Sequence, residues 1–272
     1  MLKALEAFLR PLTSEGIALA FSGGVDSMLL LAVLQKMAEE KPFPLVALTM
    51  KTVLQDEKEM NEAKQVAADL GVKSEFLSFN PFDLEAVRNN RRERCYFCKK
   101  AIFEKFVAYA KAQGLKYVLD GTNADDLKVY RPGRKALQEL GIISPLAEVG
   151  LTKVDIRELS AELGLKTASK PAVPCLATRF PYDTYLDDAA LARVAKGETE
   201  LKKMLPKAVD LRLRVHGNLA RLEVAKENLS DVFAQYQEVV RVLKKLGFDF
   251  VTLDLEGFRS GSFDRAIEKD EK

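Results

Sequence analysis

Ser22-Gly23-Gly24-Val25-Asp26-Ser27 stands between a short apolar run, Ile17 to Phe21, and a stretch with helical apolar spacing, Met28 to Glu39. The run reads as a buried strand and the stretch as a helix. Two glycines let the backbone turn tightly and approach an anion. Amides at the start of the helix point at that anion, and the helix dipole favours it. Ser22 and Ser27 add hydroxyl donors. Asp26 would repel a phosphate unless Mg2+ stands between them, so it is a candidate metal contact. The Gly-Lys-Ser/Thr ending of a Walker A loop is absent. The bland alternative is a glycine turn without a ligand.

Outward from this loop, Leu45 to Met50, Glu75 to Phe79 and Tyr117 to Asp120 read as further strands. Glu57 to Leu70 and Lys99 to Gln113 read as helices closed by Gly71 and Gly114. Strands alternating with helices predict an α/β fold with a doubly wound parallel sheet. In that setting the loop resembles the PP-loop signature SGGxDS, which grips pyrophosphate while a nucleophile attacks the α-phosphorus of ATP. Ligands of such sheets bind beyond the carboxyl ends of the strands. Met50-Lys51 and Gly121-Thr122-Asn123 close two of the strands. Lys51, Gly121, Thr122 and Asn123 therefore join Ser22, Gly23, Gly24, Asp26 and Ser27 as nucleotide-binding candidates. An ordinary turn with Asn123 as N-cap is the competing reading.

Thr152-x-x-Asp155 reads as a capping box for a helix to Leu163. The proline-rich Pro171 to Cys175 follows, and a boundary is expected at about 165–185, giving domains 1–170 and 171–272. The second is expected to be a smaller α+β domain. Leu186 to Lys203 and Leu229 to Leu246 are its helices. Val209 to Val215, Leu219 to Val224 and Phe250 to Leu255 are its strands, and Ala266 to Lys272 is expected to fray.

The chain has 272 residues, 47% of them apolar, with 42 Lys+Arg against 40 Asp+Glu. The near balance argues against nucleic acid as a partner. No apolar stretch is long enough for a membrane span. Met1 to Leu12 reads as an amphipathic helix ended by Pro11, with no cleavable signal pattern, so a cytoplasmic location is expected. His216 is the only histidine. That disfavours histidine-based nucleophilic catalysis and a histidine-rich zinc site.

The three cysteines are Cys95, Cys98 and Cys175, two of them in a Cys-x-x-Cys pair. Three thiolates suit a [4Fe–4S] cluster whose fourth iron keeps a non-protein ligand. A structural zinc with His216, a dithiol with a separate nucleophilic Cys175, and inert buried thiols are the alternatives. Arg88, Arg91, Arg92, Arg94, Lys99 and Lys100 surround the Cys-x-x-Cys pair, either as a solvated face or as a positive mouth for anions.

SGGVDS, CYFCK, PCLATRF, RLRVHG and GFRSGS together resemble the LarE family, over nearly the whole chain. These are ATP-dependent sulfur transferases of nickel-pincer nucleotide biosynthesis. The resemblance implies a small-molecule substrate, pyridinium-3,5-biscarboxylic acid mononucleotide, whose carboxylates are adenylated and converted to thiocarboxylates. Many members carry only the cysteine matching Cys175 and sacrifice its sulfur. Cys95 and Cys98 place this chain nearer the three-cysteine branch, whose cluster carries the sulfur. ATP, Mg2+ and a [4Fe–4S] cluster are the cofactors implied, with an unidentified sulfur donor as partner. A homo-oligomer stays open.

For that anionic substrate, Arg212 and Arg214 lie two apart on a predicted strand and leave the same face. Guanidinium forks suit phosphate and carboxylate. Thr178, Arg179 and Arg259, with Ser260 and Ser262, are further substrate candidates, each weighed against a surface ion pair. Glu200 is carried over as an active-site carboxylate beside Cys95, Cys98 and Cys175, against the plain reading of a solvated helix position. The rivals are a cluster-dependent tRNA thiolase, a nucleotide sensor with a structural metal, and an ammonia-using synthetase. The thiolase would usually carry lysine where this loop has Val25.

Overall fold

The computed structural model describes residues 1–55, 57–128, 132–169, 173–208, 210–259 and 263. The expected fraying tail, Ser260 and Ser262 lie outside them. The chain divides into two compact units, Met1–Leu84 with Glu93–Ala172, and Glu85–Arg92 with Val173–Lys272.

The first unit is a parallel sheet covered on both faces. Its elements are α1 (Leu2–Leu9), β1 (Ile17–Ala20), α2 (Val25–Glu40), β2 (Leu45–Lys51), α3 (Glu57–Asp69), β3 (Lys73–Ser78), α4 (Arg94–Ala112), β4 (Tyr117–Leu119), α5 (Gly133–Glu139) and α6 (Lys153–Glu162). The strand order is β3-β2-β1-β4, all pairs parallel. Ile143 extends it by a parallel bridge to Leu119. Alternation along β1 feeds two cores. Ile17 and Leu19 pack with Leu29, Leu30 and Leu34 of α2 and with Ile156 and Leu159 of α6. Ala18 packs on the other side with Leu48, and with Phe103 and Phe106 of α4. The register Ile17↔Leu45 and Ala18↔Val46 carries the same alternation into β2.

Thr152 caps α6 as expected, accepting from the Asp155 amide while the Asp155 carboxylate accepts from the Thr152 amide. One expectation shifts. The Cys-x-x-Cys pair does not precede a helix; it lies in the first turns of α4, which begins at Arg94.

The second unit holds α7 (Asp188–Met204), β5 (Arg212–His216), β6 (Leu219–Glu223), α8 (Leu229–Ala234), α9 (Tyr236–Lys245) and β7 (Phe250–Leu253). β5 and β6 form an antiparallel hairpin, and β7 adds to β6 in parallel. Leu213, Val215, Ala220 and Leu222 are buried on one face of this sheet. Arg212, Arg214, Arg221 and Glu223 alternate with them and share the opposite face. The single long helix expected over 229–246 is two helices. At Gln235 the backbone leaves helical geometry, with φ −116° and ψ 19°. Its side-chain amide donates to the Met204 carbonyl at 2.9 Å.

The segment Glu85–Arg92 belongs to this second unit although β3 and α4, on either side of it, belong to the first. It is stitched to the chain that follows Cys175. The Asn90 side chain, fully buried, donates to the carbonyls of Phe180 at 3.2 Å and Pro181 at 2.7 Å. The Leu186 amide donates to the Arg88 carbonyl at 2.7 Å. Asn90 itself takes φ +49°, a left-handed conformation that asparagine tolerates better than most residues.

Candidate active site

The loop after β1 has the shape its sequence implies. The Phe21 amide still donates to the Leu48 carbonyl at 2.8 Å, then the chain leaves the sheet. Gly23 turns it at φ +70°, and a Cβ there would stand 2.9 Å from the Ala63 Cβ on α3. Only glycine satisfies both conditions. Gly24 is the N-cap of α2. The Ser22 amide donates to the Ser27 hydroxyl at 3.3 Å, and that hydroxyl donates to the Gly24 carbonyl at 3.1 Å. The Gly24 amide donates to the Ser22 hydroxyl at 3.3 Å. The loop is thus pre-shaped around the helix N-terminus, where backbone donors and the helix dipole suit an anion.

Asp26 in the first turn of α2 is held from two distant points. Asn123 Nδ2 donates to its Oδ1 at 3.3 Å, and Lys153 Nζ to its Oδ2 at 2.5 Å. Asn123 Oδ1 accepts from the amides of Asp125 and Asp126, one residue ahead of Ala124, which takes the N-cap position expected of Asn123. Gly121 lies against the same turn, since a Cβ there would meet the Ser27 amide nitrogen at 3.1 Å. Asp120, buried at the end of β4, accepts from Thr122 Oγ1 and Ser144 Oγ, each at 2.6 Å, and from Lys99 Nζ at 3.4 Å.

Part of this set lines a cleft of about 300 Å³ at the carboxyl ends of β1, β2 and β4, while Gly23, Gly24, Asn123 and Lys153 stand behind its lining. Ser22, Asp26, Ser27, Gly121 and Thr122 form part of its polar side, as do Asp120 and Lys99. Leu48, Met50, Ile102, Phe103 and Phe106 form its apolar side. Polar donors beside an apolar floor suit a phosphorylated ligand with a flat base. Lys51 lies elsewhere, in a groove with Thr52, Ser78 and Phe79, because alternation along β2 puts it on the face opposite Leu48 and Met50.

In the second unit, Cys175 caps the short turn Leu176–Arg179. Thr178 Oγ1 donates to the Cys175 carbonyl at 2.8 Å. Arg179 is 1% exposed and donates to Glu198 of α7 with two nitrogens, at 2.8 and 3.0 Å. Arg179 was expected to touch substrate; the structure turns it inward to brace this turn. Arg214 Nε donates to Glu223 at 2.9 Å, and its Nη1 to the Thr178 carbonyl at 2.6 Å. Arg221 donates to the other oxygen of Glu223 at 3.0 Å. Arg212 is buried, with its guanidinium 5.1 Å from the centre of the Phe258 ring. Burial, then the charge of Arg179, pushes its pKa down, so an anion beside it would be favoured. Arg259 pairs with Glu256 at 2.5 Å at the surface.

Glu200 is partly exposed on α7 and pairs with Lys203 at 2.7 Å. The carboxylate that α7 turns inward is Glu198. Burial raises its pKa, but hydrogen bonds and charge from Arg179 outweigh that and hold it below the ordinary value of 4.5. A depressed folded-state pKa stabilises the fold above the unfolded value and loses that contribution as pH falls through the folded one. The stability gap between wild type and Glu198→Gln should therefore be widest above about pH 5 and close in stronger acid. Urea midpoints measured across that range check it, and a gap independent of pH would contradict it. His216 ends β5 with its ring 5.4 Å from that of Phe263. Burial first, and Arg221 second, push its pKa down.

Of the six basic residues that flank the Cys-x-x-Cys pair in sequence, Arg94 is buried and three form the following ion pairs. Arg91 pairs with Asp183 at 2.6 Å, Lys99 with Asp120, and Lys100 with Glu139 at 2.9 Å. None of the three cysteines is in a disulfide; Cys95 is exposed and the others partly so. Among the described residues, no three His, Cys, Asp or Glu side chains gather as a metal site. By donor type the thiols fit an iron–sulfur centre, and the Asp26 carboxylate fits a hard cation. No helix among the described residues is long and apolar enough to cross a membrane.

Residues 1–105 match the PP-loop domain family. The chain is 34% identical to the pyridinium-3,5-bisthiocarboxylic acid mononucleotide synthase of Lactiplantibacillus plantarum, over 94% of this chain and 91% of that protein. It is 36% identical to an uncharacterised protein of Synechocystis, over 92% of each. A tRNA-specific 2-thiouridylase of Heliobacterium modesticaldum is 29% identical over 58% of this chain and 50% of its own length.

Proposed function

Because the chain belongs to the LarE family of PP-loop sulfurtransferases, we propose that it adenylates the carboxylates of pyridinium-3,5-biscarboxylic acid mononucleotide and converts them to thiocarboxylates. It is an ATP-using sulfurtransferase. The observation that carries the finer reading is a likeness spanning both units, joined to a phosphate loop pre-shaped for an anion. The likeness to the tRNA thiouridylase covers only part of either chain, which weighs against tRNA as substrate.

In the first stage the amides at the start of α2 and the hydroxyls of Ser22 and Ser27 bind the β- and γ-phosphates of ATP. The apolar floor of the cleft packs the adenine. A substrate carboxylate oxygen attacks the α-phosphorus, the bond to the bridging oxygen breaks, and pyrophosphate leaves. Lys153, paired with Asp26, supplies a cation for that leaving group beside a loop without a lysine of its own. Magnesium held by Asp26 would add charge neutralisation. In the second stage a sulfur nucleophile attacks the acyl carbon of the mixed anhydride, and AMP leaves. Carboxylate and hydrosulfide are already anionic, so no histidine is required. Arg212, Arg214 and Arg259 orient the anionic groups of the substrate, and catalysis rests on positioning and charge.

Cys95, Cys98 and Cys175 would hold a [4Fe–4S] cluster, which supplies sulfur at the sulfide level when bound. The setting is cytoplasmic, with a separate sulfur donor. The test is anaerobic reconstitution beside Cys95→Ala, reading iron, sulfide and the absorption spectrum. About four irons per chain, lost in the variant, are expected. An iron-free protein that transfers one sulfur per chain and leaves Cys175 as dehydroalanine would restore sacrificial chemistry. Pyrophosphate release with tRNA but not with the pyridinium mononucleotide would move the reading to a tRNA thiolase.

A further inference from the structure

Arg179 is the largest fully buried side chain among the described residues, and it does not simply neutralise Glu198. Its Nη1 reaches over the turn that begins at Cys175. It donates to the Pro174 carbonyl at 3.0 Å, the Cys175 carbonyl at 3.4 Å and Thr178 Oγ1 at 2.9 Å. Glu198 works in two directions as well. Its Oε1 accepts from Arg179 Nε and from the Leu213 amide of β5 at 3.0 Å. β5 is the edge of its sheet, so that amide has no strand partner on its outer side. Gly197 makes the approach possible, because a Cβ there would stand 2.6 Å from Leu213 Cδ2. Two flanking residues of β5 are Arg212 and Arg214, and Arg214 also holds the Thr178 carbonyl.

We propose that the Arg179–Glu198 pair is a positioning device that fixes the Cys175 turn in register with the arginine face of β5. Arg179 and Glu198 touch neither substrate nor sulfur; they act through Cys175 and through the backbone of Leu213. A planar guanidinium is required, since one fork holds Glu198 while the remaining nitrogen collects the turn's carbonyls. A lysine ammonium is a single point and cannot span both sets. The inference rests on the sulfur-transfer reading, and it predicts that loosening the pair damages the second stage and spares the first.

The experiment uses the full chain with its thiols reduced, as wild type, Arg179→Lys, and the double variant Arg179→Met with Glu198→Leu. Replacing a buried ion pair by apolar residues of similar volume commonly preserves folding, so the double variant carries the test should Arg179→Lys fail to fold. Alkylation of Cys175 by iodoacetamide, followed by peptide mass, reports how firmly the turn is held. In a cooperatively folded variant, alkylation should accelerate about tenfold or more as the turn opens locally. Thiocarboxylate formation should fall about tenfold or more, with pyrophosphate release within about threefold of wild type. Wild-type alkylation and transfer in a folded variant would overturn the proposal. So would a parallel fall of pyrophosphate release, transfer and melting temperature, which marks a mere prop. Alkylation needs no substrate. A wild type inert toward the pyridinium mononucleotide would sink the functional reading and leave this result standing.

Discussion

Gly23→Val should reduce ATP-dependent pyrophosphate release at least about a hundredfold, equivalent to ~2.7 kcal/mol of transition-state stabilisation. At φ +70° a β-branched residue is a strong outlier, at a cost of about 1–3 kcal/mol. Its Cβ would also meet Ala63 of α3, whose backbone cannot yield without moving the helix. The loop would relieve both by rotating, which breaks the Ser22 and Gly24 amide hydrogen bonds that shape it and swings the first amides of α2 away from the anion they bind. Gly24→Ala is the matched control. Gly24 sits at φ −79° and ψ 162°, and an added Cβ would meet only the Ser22 hydroxyl, at 3.3 Å. It should lose about tenfold or less. Pyrophosphate release and thermal midpoints on both variants decide the matter. Equal losses would show that the left-handed turn is not what shapes the loop, and full activity in Gly23→Val would remove the loop from the site.

Glu223→Ala should destabilise the protein by about 3–5 kcal/mol, the usual cost of removing one partner from a buried ion pair. Glu223 is wholly buried and answers two cations, Arg214 through one oxygen and Arg221 through the other. Without it, two guanidinium groups on one sheet face repel each other, and Asp254, 3.7 Å from Arg221, is too distant to replace the direct pairing. Such a loss is a large share of the ~5–15 kcal/mol that holds a typical domain together. It should fall on the second unit. Hydrogen exchange should quicken across β5, β6 and β7 while β1 and β2 keep their protection. A shift in the urea midpoint worth less than ~1 kcal/mol would mean that the pairing contributes little beyond what water supplies.

The phosphate loop and the first sheet were legible because their information is local. Strands buried on both faces appear as unbroken apolar runs such as Ile17 to Phe21, and glycine marks the turn. Helix ends marked by glycine or by a capping box were legible for the same reason. The break at Gln235 was not. Neither glycine nor proline marks it, and the partner its side chain finds, the Met204 carbonyl, is distant in sequence. Lys153 was missed as a loop residue, since it lies 127 positions from Asp26 and nothing in its neighbourhood points there. Glu198 had a signal that went unread. It continues the buried stripe Leu191, Val194, Gly197 and Leu201, and a carboxylate on an apolar stripe must find a partner. Glu200, two positions on, is turned roughly 200° around the same helix and meets solvent.

The segment Glu85–Arg92 makes the second unit discontinuous in sequence. A fragment begun at Val173 would lack Asn90, and the carbonyls of Phe180 and Pro181 would lose their buried donor. The half of the molecule that carries Cys175 is therefore not an excisable module. On a ribosome the strap emerges some ninety residues ahead of the chain it must grip, and waits. The last residues of that strap run directly into the turn that bears Cys95 and Cys98. Folding of the second unit thus draws on a segment made amid the chain of the first, and any exchange of C-terminal halves between relatives has to carry those eight residues with it.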